Sequence, residues 1–195
     1  MIAHEHIQLI RLKSLIFTLV IASIISLLIF ASNLFFSPTT SFMVSLALMV
    51  IGMNFTVYLI KKAGIATLFY VFTAVLTFWI DDIGVLGWEK IITFFFAGLI
   101  FEIIFLLLKV RVHNVPLDMI IGASLSTASI SLITAFALSE GLASSFPVEL
   151  INLILLAFAV GLIASTVIFL IWHQVERTKI IIKVESWLMS LGGWR

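Results

Sequence analysis

Of the 195 residues, 63% are hydrophobic and 11% charged, where a soluble domain is nearer half apolar and a quarter charged. That balance names lipid as the solvent. The absence of Cys excludes disulfides, thiolate metal sites and thiol catalysis together, and a formal net charge of +1 gives no reason to expect a nucleic-acid partner.

A chain crossing hydrocarbon must satisfy its backbone hydrogen bonds within itself, which leaves helices or a closed barrel. The apolar runs here are continuous and about twenty residues long, the length of a membrane-crossing helix, rather than the roughly ten-residue alternating segments of a barrel. The expected fold is an all-α integral membrane bundle of about six spans, at 14–32, 41–60, 64–80, 91–108, 117–138 and 148–172. The first span follows a basic stretch, but it is too long for a signal-peptide core and no small-residue cleavage site follows. Beyond residue 172, mixed charges with Trp187 and Trp194 predict an amphipathic helix lying in the interface. Residues 1–172 then form one transmembrane domain and 173–195 a cytoplasmic tail. The connectors are brief, and no soluble domain or internal repeat is evident.

Ten of the eleven basic residues (Arg11, Lys13, Lys61, Lys62, Lys109, Arg111, Arg177, Lys179, Lys183 and Arg195) fall on one side of a six-span topology, with Lys90 alone on the other. By the positive-inside rule that side is the cytoplasm, so both termini are expected inside the cell membrane.

Motifs for soluble catalysis are missing: no GxxxxGK[ST], HExxH or GxSxG occurs. His4, Glu5 and His6 read as a solvated tail, and His113 and His173 as interfacial residues. No enzyme, metal or cofactor is therefore expected. Glu102 is the ionisable side chain well inside a span, about 17 Å from the outer start of span four at 1.5 Å per residue. Such a residue usually faces the bundle interior and marks a substrate or ion path. Trp88, Phe95 and Glu102 recur at seven-residue spacing with Gly98 one turn from the acid. That stripe fits a narrow pocket opening outward. It also fits a carboxyl group bonded to a neighbouring helix, and both readings stay open.

Span five carries Ser124, Thr127, Ser131 and Thr134 on one face, with Ser126 and Ser129 beside it. These hydroxyls either line a polar cavity or allow close packing while bonding their own i−4 carbonyls. Asn152, near the outer end of span six, could add an amide. Span one has a small residue at every fourth position (Ser14, Thr18, Ala22, Ser26), a ridge on which another helix can dock. Span six repeats the device with Ala157, Gly161 and Ser165. Of the two, span one is the better candidate for an external partner.

The architecture, together with Lys-Lys-Ala-Gly-Ile-Ala-Thr-Leu from Lys61 and Phe-Ala-Gly-Leu-Ile-Phe-Glu from Phe96 to Glu102, resembles the substrate-binding S components of energy-coupling factor (ECF) vitamin transporters, those handling thiamine or its pyrimidine precursor. The resemblance covers the whole chain in architecture and about fifty residues in wording. It implies vitamin uptake through an outward site between spans four and six, involving Trp88, Glu102, the span-five hydroxyls and Asn152 under a loop from Ser32 to Thr40. It also implies a transmembrane coupling subunit docked on span one and ATPase subunits on separate chains. Family members usually carry an Ala-Xaa-Xaa-Xaa-Ala ridge in span one, where this chain has Ala22 and Ser26. The competing expectation is a non-catalytic accessory subunit of a larger membrane complex.

Overall fold

The computed structural model of the chain describes residues 10, 12–108, 111–112, 115–138, 146–176 and 178–189. Within them lie helices α1 (Leu12–Phe35), α2 (Pro38–Ile60), α3 (Ile65–Leu76), α4 (Gly87–Leu108), α5 (Leu117–Leu138), α6 (Phe146–Val175) and α7 (Lys179–Met189). Two-residue strands β1 (Arg111–Val112) and β2 (Val115–Pro116) pair antiparallel between α4 and α5. Five of the helices (α1, α2, α4, α5 and α6) are long and apolar enough to cross a membrane. The fold is an all-α, multi-pass membrane bundle.

Five helices close a ring in the order α2, α3, α4, α5, α6 and back to α2, and α1 lies across the seam between α2 and α3. Successive helices run in opposite directions. The start of α1, the end of α2 and the start of α3 therefore share one end of the bundle with the end of α4, the start of α5 and the end of α6. Lys13, Lys61 and Lys62 mark this as the basic end. Here α7 folds back on α1: Lys13 Nζ donates to the Trp187 carbonyl at 3.1 Å and stands 4.7 Å from the Trp187 ring centre. Trp172 of α6 stacks on Tyr58 of α2 at 5.2 Å. At the far end Trp79 and Trp88 are exposed around the half-buried Phe78, as aromatic residues are at a membrane–water boundary.

Glycines set the closest helix approaches. A methyl group on Gly52 of α2 would come within 2.6 Å of Ile25 and 2.7 Å of Phe69, so three helices meet at that point. One on Gly161 of α6 would lie 2.3 Å from the Thr127 hydroxyl and 2.9 Å from the Ser124 Cα, which fixes α6 against α5.

Two details depart from the sequence reading. First, the stretch 64–80 is helical only over Ile65–Leu76, twelve residues, about 18 Å at 1.5 Å per residue and short of the ~30 Å hydrocarbon layer. Residues 77–86 complete the path as turns and irregular chain. Second, α1 runs to Phe35 and α2 begins at Pro38. The segment expected as a capping loop, Ser32 to Thr40, is thus mostly helix, with Asn33 accepting a hydrogen bond from Ser41 at 3.2 Å.

Candidate functional site

A half-length helix inside a membrane protein leaves unsatisfied amides at its start and carbonyls at its end, with little water to meet them. In α3 the residue before the helix is Gly64, at φ 87°, which has no side chain to cap with. Glu102 of α4 supplies the acceptor instead. Its carboxyl group takes the Ala66 amide at 2.9 Å, at the first turn of the helix. Gly98, one turn earlier, makes this reach possible: a methyl there would stand 2.6 Å from the Thr67 Cα, so α3 and α4 touch almost backbone to backbone. Glu102 is therefore a cap supplied by tertiary structure, a carboxyl acceptor at the positive end of a helix dipole.

The other end of α3 is closed in the complementary way. Lys90, wholly buried near the start of α4, donates to the Thr77 carbonyl at 3.0 Å and the Ile80 carbonyl at 2.9 Å, and its third donor meets the Asp82 carboxylate. A positive charge sits at the negative end of the helix, and Lys90 and Glu102 stand twelve positions apart on α4, about the length of the twelve-residue α3. The sequence reading set Lys90 aside as the one outer basic residue; it is instead the anchor of the 77–86 segment. The available signal was the shortness of the third apolar run together with Asp82 eight positions before Lys90.

The stripe of Trp88, Phe95, Gly98 and Glu102 does not converge on one cavity. Trp88 and Phe95 face outward at 73% and 42% exposure. Gly98 is closed by Thr67, and Glu102 is occupied by α3. Depth explains the difference for the carboxylate. Glu102 is six residues, about 9 Å, from the basic end of α4 at Leu108, and about 21 Å from Trp88. Counting inward from the far end hid its proximity to the turn at Gly64.

The hydroxyl face of α5 divides in two. On the half toward the basic end the groups are satisfied. Ser124 donates to the Ile120 carbonyl at 2.8 Å, and Thr127 Oγ1 lies 2.9 Å from the Ala157 carbonyl across on α6 as well as against the Ala123 and Ser124 carbonyls. Ser126 exchanges a hydrogen bond with Tyr70 Oη at 3.0 Å and donates to the Ala97 carbonyl at 2.9 Å, and Ser129 donates to the Ser126 carbonyl. On the far half, Ser131 and Thr134 are buried at 0% and 4% exposure, and neither hydroxyl has a hydrogen-bond partner among the described residues. Ser45 of α2 is likewise buried with an unpartnered hydroxyl.

The hydroxyls of Ser26 on α1 and Thr67 on α3 are also buried without a partner among the described residues, but Ser45, Ser131 and Thr134 share a depth. The bond from Asn54 to Ser165 at 2.9 Å registers α2 against α6, and the Thr127–Ala157 contact registers α5 against α6. Counted outward at 1.5 Å per residue, Ser45 is level with about residue 156 of α6, Ser131 with about 153 and Thr134 with about 150. All three fall within roughly two helical turns in the far half. α2, α5 and α6 are mutually in contact. Ser45 was not picked out by sequence, because nothing in the α2 pattern marks it apart from its neighbours. Asn152 is exposed at this level of α6.

The small-residue ridge of α1 is internal: Ser14, Thr18, Ala22 and Ser26 are buried at 3%, 0%, 0% and 7% exposure. Its expected use as an external docking face meets this obstacle, since the ridge already packs α1 onto α2 and α3. Residues 1–9, including His4, Glu5 and His6, lie outside the described residues, as do His113, Leu191 and Trp194. Among the described residues no three His, Asp or Glu side chains gather as a metal ion would need. No protein-family model matches the chain, and neither a curated protein nor a solved structure matches it.

Proposed function

We propose that the chain is the substrate-binding membrane subunit of an ATP-driven importer of small molecules, similar to the S components of ECF transporters, with its basic end and both termini in the cytoplasm. In this reading it has no catalysis of its own. ATP hydrolysis and a transmembrane coupling subunit come from separate chains, because the sequence carries no phosphate loop.

One observation carries the reading: Ser131 and Thr134 are buried without partners, while Ser124 and Thr127 on the same helix face are fully bonded. A buried polar group left unmade costs about 1–3 kcal/mol. A serine or threonine in a helix can remove that cost by bonding its own i−4 carbonyl. Ser26 and Thr67 decline it singly on α1 and α3; the grouping of Ser45, Ser131 and Thr134 in the far half of one helix cluster is what we read as the lining of a polar site for a solute. That site lies among α2, α5 and α6, on the side that faces outside the cell in this topology. Glu102, Gly98 and Trp88 serve architecture and the membrane boundary instead.

The test is thermal stabilisation of the detergent-purified chain against a panel of vitamins and their precursors. A ligand at a hundred times its Kd adds about 2.7 kcal/mol. The expected result is a shift in the native chain, at least tenfold weaker binding in a Ser131→Ala, Thr134→Val variant, and an unchanged Kd in Glu102→Gln. No shift with any compound would remove the solute-binding reading.

A further inference from the structure

Resting on that reading, we infer that the solute carries a basic nitrogen, an amine or amidine, and that Asp82 accepts its N–H, so that the segment between α3 and α4 adds a carboxylate to the hydroxyl lining.

Depth puts the two together. Ser126 donates to the Ala97 carbonyl at 2.9 Å, and a methyl on Gly122 would stand 3.2 Å from the Phe101 ring. Both contacts register α4 against α5 in the same way. Counted outward at 1.5 Å per residue, Ser131 is level with about residue 92 of α4 and Thr134 with about residue 89. Lys90, wholly buried, starts from that level. Its ammonium meets Asp82 through one carboxylate oxygen, Oδ1. The other, Oδ2, is buried with no partner among the described residues, and Asp82 as a whole is 3% exposed. An unmet carboxylate oxygen thus joins Ser131 and Thr134 in the far-half layer of the ring.

A hydroxyl can turn to offer its proton or its lone pairs, but an ionised carboxylate only accepts. The three donors of Lys90 are taken by the Thr77 and Ile80 carbonyls and by Asp82 Oδ1, so none is left for Oδ2. A buried charged acceptor costs more to leave unmet than a neutral one, and an N–H on a positive nitrogen meets it with the strongest kind of hydrogen bond. The surroundings have the matching sign. Among the described residues of the far end, Asp81, Asp82, Glu89 and Glu149 stand against Lys90 alone. Asp81 and Glu89 are exposed, and Glu149 of α6 is placed one residue from the level of Thr134. Such a field gathers cations at the mouth of the site.

The experiment uses the full chain in lipid nanodiscs and four small probes: benzylamine, benzamidine, benzyl alcohol and benzyltrimethylammonium. Binding is measured by isothermal calorimetry at two salt concentrations. The expected outcome is that benzylamine and benzamidine bind at least tenfold tighter than the alcohol, which keeps a donor without the charge, and than the quaternary cation, which keeps the charge without an N–H. Their affinity should fall as salt rises, and Thr134→Val should weaken them as well. In Asp82→Asn an amide can present N–H where the carboxylate presented an acceptor, so the preference for amine over alcohol should vanish. That ratio is read within one variant and is independent of its stability. Alcohol or quaternary cation binding as tightly as benzylamine, or a preference that survives in Asp82→Asn, would overturn this inference and leave the solute-binding reading standing. If Asp82→Asn does not fold, as its melting curve without ligand reports, the four probes on the native chain decide alone. Where no probe binds but a vitamin does, replacing its basic nitrogen by oxygen must weaken it at least tenfold, and a vitamin without one overturns this inference only. Binding by no probe, together with no stabilisation by the vitamin panel, would overturn both.

Discussion

Exchanging Glu102 for Gln keeps the shape of the side chain and replaces the carboxyl group that accepts the Ala66 amide. Hydrogen bonds to charged groups contribute about 1.5–3 kcal/mol each to stability, against roughly 1 for neutral ones. Glu102→Gln is therefore expected to destabilise the chain by about 1–3 kcal/mol, read as a lower midpoint in detergent unfolding, without altering the Kd of any solute. An unchanged midpoint combined with lost binding would return the carboxylate to the solute site. Gly98→Ala tests the other half of the same contact. The added methyl meets Thr67 backbone at 2.6 Å, and backbone cannot swing aside as a side chain can. Overpacking of this kind costs about 1–3 kcal/mol. The effect of Gly98→Ala and Glu102→Gln together should fall short of the sum, because the first substitution already pushes α3 out of reach of the second.

Among the elements, α3 stands apart because it is stabilised by its neighbour at both termini. Replacing Lys90 by Met would strand two carbonyls and a buried carboxylate, and breaking a buried pair by removing one partner costs about 3–5 kcal/mol. Lys90→Met is expected to fall in that range by denaturant titration in micelles. The double variant Lys90→Met, Asp82→Asn should recover part of the loss, since the uncompensated charge is gone. Recovery of nothing would mean that the carbonyls, rather than the ion pair, are the main contact. The same element shows what could and could not be seen in the chain beforehand. Its apolar run and its start at Gly64 were legible, because hydrophobicity and a glycine turn are local properties, while its end at Leu76 was not. That Lys90 and Glu102 belong to it was not, because both contacts join groups on different helices. The two short stretches on which the family resemblance rests, Lys61 to Leu68 and Phe96 to Glu102, turn out to touch each other through Gly98–Thr67 and Glu102–Ala66.

For the whole molecule, five of the six expected spans were readable within a few residues because hydrocarbon thickness and backbone satisfaction leave few alternatives, and the third is the short helix α3. Which half of the α5 hydroxyl face is engaged was not, since every position on that face carries the same chemistry and only the approach of α6 at Gly161 separates them. Sidedness is open to direct measurement. The native sequence holds no Cys, so single cysteines introduced at Ser37 and at Lys61 report alone. In intact cells a membrane-impermeant maleimide is expected to label Ser37→Cys and to reach Lys61→Cys only after permeabilisation. The reverse pattern would invert the orientation and put the orphaned hydroxyls on the cytoplasmic side.

The double clamp on α3 also bears on how the protein is made. During synthesis α3 leaves the ribosome before α4, as twelve apolar residues with bare amides at one end and bare carbonyls at the other. A segment that short cannot hold a transmembrane position alone, and α4 would carry Lys90 and Glu102 into lipid at about 2.5–3.5 kcal/mol for a central charge. Each segment removes the other's obstacle, so the two should enter the bilayer as a hairpin. In nascent chains halted after residue 86 the third segment should then remain open to a water-soluble thiol reagent at a cysteine placed in it, and in those halted after the end of α4 it should be protected.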